Sequence, residues 1–182
     1  MITTLPEPAS SLPPPRHSGR ADGLRDFARA VTALYDWQGA TSLLDVGAGD
    51  AWFRDFLASS WRYVSVDINA FGAQVIADAH ALPFRDRDFD VVVSKQTLPH
   101  FADPARACIE MLRVARCLVI IRQEFPEPVG WLGHSRVRID RWQDIAEILA
   151  IGGVVSYDGT DFVVRKDSRG GEDRASLAAE EV

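Results

Sequence analysis

Apolar and polar positions along this chain switch repeatedly between two periods. Residues 23–37, "GLRDFARAVTALYDW", set Leu24, Phe27, Ala28, Val31, Leu34 and Tyr35 on one stripe at helical spacing. "SLLDVG", at 42–47, is a short apolar run that stops at a glycine and reads as a buried strand. "AWFRDFLASS" returns to helical spacing through Trp52, Phe53, Phe56 and Leu57. "YVSVD", "QVIADAH" and "FDVVVSKQ" then read as a second, third and fourth strand. Runs of Val and Ile this continuous suit strands covered on both faces, as in parallel sheets.

The second half keeps the alternation. "FADPARACIEMLRVAR" predicts a helix with Asp103 as N-cap, Pro104 at the first helical position, and Ala105, Cys108, Ile109 and Leu112 as its buried stripe. "CLVIIRQ" is a fifth strand. "DRWQDIAEILAIGG" opens with Asp140 and Gln143 in capping-box spacing and stops at Gly152. "VVSYDG" and "DFVVRK", joined around Asp158 and Gly159, read as a closing hairpin. The expected fold class is α/β: a Rossmann-like, doubly wound, mostly parallel sheet with a C-terminal antiparallel hairpin at one edge. The Pro- and Ser-rich stretch 1–16 and the polar stretch 167–182 read as disordered tails around a single domain, 17–166.

Composition narrows the classes. The 182 residues suffice for one domain with a full core. A net charge of -6 argues against a broad nucleic-acid surface, which needs local positive excess. Cys108 and Cys117 lie in apolar runs without zinc-site spacing, so free buried thiols in a reducing compartment are expected and no metal is. No run reaches the roughly 18 apolar residues of a membrane-spanning helix. The first residues are neither basic nor apolar enough for a signal peptide, which makes a cytoplasmic location the expectation.

The chemistry starts at "SLLDVGAGDAWF". In a doubly wound sheet the ligand sits beyond the carboxyl ends of the strands, and Gly47 and Gly49 occupy the first strand-to-helix turn. Lacking Cβ atoms, they let the main chain approach a ligand closely. A dinucleotide fingerprint needs a third glycine where Trp52 stands, and Asp50 would set a negative charge where a pyrophosphate must lie. Both features disfavour NAD and FAD.

The stretch D-x-G-x-G-x-A, from Asp45 to Ala51, resembles motif I of the class I S-adenosylmethionine-dependent methyltransferases, with Ala51 in place of the usual last glycine. Asp67 ends the second strand about 20 residues beyond the glycines, where a carboxylate can accept from two ribose hydroxyls. "DAHALPF" and "DPARACIEMLRVAR" are similar to later motifs of the small-molecule and lipid-type members, those with a methyltransferase-11-like domain. The resemblance covers about 42–166. It implies S-adenosylmethionine as cofactor, S-adenosylhomocysteine as product, and a small-molecule or lipid-like acceptor. It implies a cofactor site of Asp45, Gly47, Ala48, Gly49, Asp67, Ile68, Asp78, Ala79 and Ser94, with Asp78 facing the adenine amino group. The helix usual between the second and third strands has shrunk to "NAFGAQ", and the turn usual before the fifth strand is missing. A cofactor-binding or partner protein without chemistry is therefore the alternative to an enzyme.

Methyl transfer needs alignment, and a base only when the acceptor arrives protonated. His100, in "LPHF" after the fourth strand, is the candidate base; a histidine bonded to backbone near a helix start is the other reading. Gln96, Trp131, His134 and Arg136 are candidate acceptor-binding residues, the last three on the long stretch 124–139. The sequence names no acceptor and no oligomeric state.

Overall fold

A computed structural model describes Gly23, residues 25–29, Val31, residues 40–123, Glu147, Leu149, Ala150, and residues 154–157 and 161–166. Seven strands form one sheet: β1 (Ser42–Val46), β2 (Arg62–Asp67), β3 (Val75–Ile76), β4 (Phe89–Lys95), β5 (Ala115–Arg122), β6 (Val154–Tyr157) and β7 (Asp161–Arg165). Their order is β3-β2-β1-β4-β5-β7-β6. β1 to β5 run parallel, β7 pairs antiparallel with β5, and β6 pairs antiparallel with β7. The hairpin lies at one edge as expected, with its second strand inserted next to β5. Strand order reverses between β1 and β4, and the crevice beyond their carboxyl ends is where such sheets bind ligands.

Both faces of the sheet are covered. Along β4, Val92 faces a cluster with Leu44, Val119, Ile121 and Met111, while Val91 and Val93 face another with Leu43, Leu118, Ile120 and Phe27. The period of two within an unbroken apolar run therefore serves two cores at once. At the amino ends, Asp90 Oδ2 accepts from the Thr41 and Ser42 amides at 2.9 and 3.0 Å and from Ser42 Oγ at 2.8 Å, while Arg116 donates to its Oδ1 at 2.7 Å. Burial alone would raise this carboxyl, but these donors hold it below the usual carboxylate range.

Among the described residues, the helix with described bounds is α1 (Pro104–Val114), where Asp103 Oδ1 accepts from the Arg106 amide at 3.0 Å, the expected N-cap. Its buried stripe is Ala107, Cys108, Met111, Leu112 and Val114, with Ala105 half-buried and Ile109 46% exposed. The stripe is thus rotated from the expected one. The cause is the partly buried Arg113, which donates to Glu110 at 2.8 Å and to the Leu82 and Phe84 carbonyls at 3.0 and 2.8 Å, while Glu110 Oε2 accepts from the Leu82 amide. This polar clamp turns residues 106 and 109 toward solvent. α1 meets β5 with no residue between, which leaves no room for the missing turn.

Three other expectations are corrected. "AWFRDFLASS" forms only a 3-10 turn, Trp52–Phe56, because Ala51 takes a left-handed conformation (φ 57°) and Leu57 is extended. The third strand shrinks to Val75–Ile76 at the sheet edge. Cys108 is buried, which with nearby Asp103 pushes its thiol up to about 12, but Cys117 is only half-buried. No helix among the described residues is long and apolar enough to cross a membrane.

Candidate cofactor cleft

A cleft of about 710 Å³ opens beyond the carboxyl ends of β1, β2 and β4. That volume suits a ligand of nucleoside size with an attached chain. Its lining includes Asp45, Gly47, Ala48 and Gly49 from the first turn, Asp67 and Ile68 after β2, Asp78 and Ala79 after β3, and Gln96 and His100 after β4. The strand ends bring together every expected cofactor residue but one. That one, Ser94, is fully buried and does not line the cleft. Its hydroxyl donates to the Val46 carbonyl at 2.9 Å and meets Thr97 Oγ1, so it braces the end of β1 from behind. Trp131, His134 and Arg136 lie outside the described residues, as do Asp140, Gln143 and the Asp158–Gly159 turn.

The two glycines do different work. Gly47 has φ 73°, and a Cβ there would lie 2.4 Å from Thr97 Cγ2. Its demand comes from its positive φ and from the β4 loop packed against it. Gly49 has φ 54°, and a Cβ there would meet no protein atom within 4 Å. Backbone conformation therefore calls for glycine at 49, and the space beside it stays open.

Four amides of this turn are already engaged. Gly47 and Ala48 donate to the Val66 carbonyl at 2.9 and 3.1 Å, Gly49 to Asp67 Oδ2 at 3.0 Å, and Ala51 to the Ala48 carbonyl at 2.9 Å. A pyrophosphate cradle needs such N–H groups aimed at the ligand. This turn instead presents carboxylates. Asp67 also accepts from the Asn69 amide at 2.9 Å, so two backbone donors fix its orientation at the strand end. Oδ1 also accepts from Asn69 Nδ2 at 3.4 Å, while Oδ2 keeps a second lone pair for a further donor.

Asp45 forms the buried floor. Burial is the largest influence on its carboxyl; Tyr63, donating to Oδ2 at 2.8 Å, opposes it, and the charge of Asp67 adds to it. The outcome is a carboxyl pushed up to about 7. Tyr63 carries no signal in a single sequence, since a tyrosine beginning a strand reads as ordinary core. Lys95, Thr97, Phe101, His80, Asn69 and Phe71 also line the cleft, and sequence reasoning gave none of them a role. His80 had the best available signal, because it stands inside "DAHALPF".

Gln96 holds a left-handed backbone (φ 55°), with its amide on the Arg122 carbonyl at 2.8 Å and its side-chain oxygen accepting from Gln123 Nε2 at 2.9 Å. Non-glycine residues seldom adopt this conformation without surrounding contacts that impose it. It turns the chain so that His100, on the 3-10 turn Leu98–His100, borders the same cleft. Among the described residues no group of three or more His, Cys, Asp or Glu is arranged to hold a metal ion.

Comparison with known proteins agrees with this architecture. Residues 44–117 match the family described as a methyltransferase domain. An uncharacterized methyltransferase of Mycolicibacterium vanbaalenii is 35% identical over 99 residues, which is 47% of this chain and 39% of that protein. The chain thus spans less than half the length of the curated relatives it matches. Among solved structures, magnesium protoporphyrin IX methyltransferase from Synechocystis PCC 6803 with bound SAM has a TM-score of 0.61 at 15% identity, covering 82% of this chain and 81% of that one. A SAM-dependent methyltransferase from Aquifex aeolicus has a TM-score of 0.58 at 15% identity, covering 83% of this chain and 98% of that one. At these identities the likeness is one of fold.

Proposed function

We propose that this chain, which carries a class I methyltransferase fold and a methyltransferase-family domain over residues 44–117, binds S-adenosylmethionine in the cleft and transfers its methyl group to a small-molecule or lipid-like acceptor. The observation that carries the reading is the first turn: its Gly47, Ala48, Gly49 and Ala51 amides are engaged within the protein, and the cleft beside it is lined by Asp45, Asp67 and Asp78. With Asp50 also present, acids outnumber Lys95 in this lining, which disfavours phosphate and suits a ligand with sulfonium and ammonium charges. Asp67 accepts from the ribose hydroxyls, Ile68 and Ala79 border the base, and Asp78 takes its amino group. Asp45 stands nearest the centre of the sheet and favours cationic charge when ionised.

When bound, the cofactor supplies an electrophilic methyl on a cationic sulfur. The protein's part is to align the acceptor and keep water away. His100 takes the acceptor's proton when that acceptor is a hydroxyl, and Gln96 holds it by hydrogen bonding. Trp131, His134 and Arg136 remain acceptor candidates from the sequence alone.

The shortened β2–β3 connection, residues 68–74 without a helix, favours a second reading in which the protein binds the cofactor but catalyses nothing. Isothermal titration with S-adenosylmethionine, S-adenosylhomocysteine and NAD tests the cofactor. Binding of the S-adenosyl compounds and not of NAD is expected, and the reverse would overturn the reading. Methyl transfer from labelled cofactor to an acceptor panel then separates the enzyme from the binding protein.

A further inference from the structure

His80 borders the cleft from a place where its hydrogen bonds determine its tautomer. The backbone amide of Asp103 donates to His80 Nε2 at 3.0 Å. An amide N–H can only donate, so Nε2 presents its lone pair and the proton of the neutral ring sits on Nδ1. Nδ1 faces Asp78 Oδ1 and donates to it. The same oxygen accepts from the His80 amide at 2.9 Å. The ring is also held edge-on to Phe101, with centroids 5.9 Å apart, and Arg106 Nε donates to the His80 carbonyl at 3.2 Å.

The imidazole therefore bridges two parts of the molecule. One end reaches the N-cap of α1, three residues beyond His100; the other sets the rotation of the Asp78 carboxylate. The Asp78 side chain is 53% exposed, so packing alone does little to orient it. Resting on the cofactor reading above, we infer that His80 is a positioning residue for base recognition. It holds Asp78 Oδ1 so that the carboxylate meets the exocyclic amino group of an adenine, and it makes the cleft select 6-aminopurine over purines lacking that group.

The two ring nitrogens can be tested apart. In His80→Asn the side-chain NH₂ stands where Nδ1 stood and keeps the Asp78 bond. In His80→Gln the side-chain oxygen reaches the Nε2 position and keeps the Asp103 bond, so the start of α1 stays supported while Asp78 loses the ring donor and keeps only the backbone amide of residue 80. The affinities of S-adenosylhomocysteine and its purine analogue lacking the 6-amino group are measured by titration calorimetry on the full chain, with melting curves for each variant. Wild type should prefer the amino compound by about ten- to a hundredfold, the range for a hydrogen bond to a charged group. His80→Asn should retain that preference. His80→Gln should reduce it below about threefold by weakening the amino compound, with the analogue's affinity unchanged. A wild-type preference surviving in His80→Gln, or equal weakening of both ligands there, overturns the positioning role. Wild type binding neither compound overturns the cofactor reading beneath it, and wild type binding both equally overturns the role of Asp78.

Discussion

Replacing Asp45 with asparagine removes a titrating group from the floor of the cleft while keeping its shape and an oxygen for the Tyr63 hydroxyl at 2.8 Å. In the native chain the carboxyl titrates at about 7, against an ordinary value of 3.8, chiefly because it is buried. Between these values the native state holds a proton that the unfolded chain releases. Stability must therefore fall as pH rises through that window and level off above about 7. Each pH unit well inside it costs about 1.4 kcal/mol and the slope halves at the folded pKa, so raising the pH from about 5 to about 8 costs the wild type close to about 3 kcal/mol. The amide of the Asp45→Asn variant does not titrate in this range. Any cost of burying its NH₂ group is the same at every pH and cancels when two pH values are compared. The assay is thermal unfolding of both ligand-free proteins at about pH 5 and about pH 8. The melting point of the variant relative to wild type should rise by about 6–12 °C between the two conditions, at about 2–4 °C per kcal/mol for a chain of this size. An equal difference at both pH values would refute the reasoning, because Asp45 would then not be neutral in the native state.

Asp67→Ala should weaken S-adenosylhomocysteine about ten- to a hundredfold by calorimetry, and should also lower the melting point, because the Gly49 and Asn69 amides lose their acceptor. His100→Ala should lower turnover of a hydroxyl acceptor by about 10²–10⁴-fold while S-adenosylhomocysteine affinity stays within about threefold; near-full turnover with an unchanged pH profile would make His100 structural. Gly47→Ala should destabilise the fold by about 2–3 kcal/mol through its φ of 73° and its contact with Thr97; Thr97→Ser removes the Cγ2 methyl and should recover part of the loss in a double-mutant cycle.

The features that repeat along the chain were legible in sequence. The runs Val91–Val93 of β4 and Leu118–Ile121 of β5 announce strands buried twice over, because an apolar residue at every position leaves no face for water. The glycine turn, the acid ending β2 and the "DAHALPF" segment mark strand ends, and strand ends of a doubly wound sheet converge on one crevice whatever the loops do. The rest depended on what packs against what. "AWFRDFLASS" has the spacing of a helix but closes after a 3-10 turn, since the left-handed Ala51 and extended Leu57 fix its ends. The buried stripe of α1 was misplaced because a partly buried Glu110–Arg113 clamp outweighs apolar spacing, and charged residues read as solvent-facing until their partners are known. Ser94 shares its strand with cleft residues yet points behind β1, as neighbouring residues on a strand face opposite sides. Gly47 reads as room for a ligand and proves to be room for Thr97, which is distant in sequence. Sequence carries local period and the identity of chemical groups. Which groups meet is a property of distant segments brought together, and it is that meeting that raises the Asp45 carboxyl beside Tyr63 and places the His80 imidazole between Asp78 and Asp103.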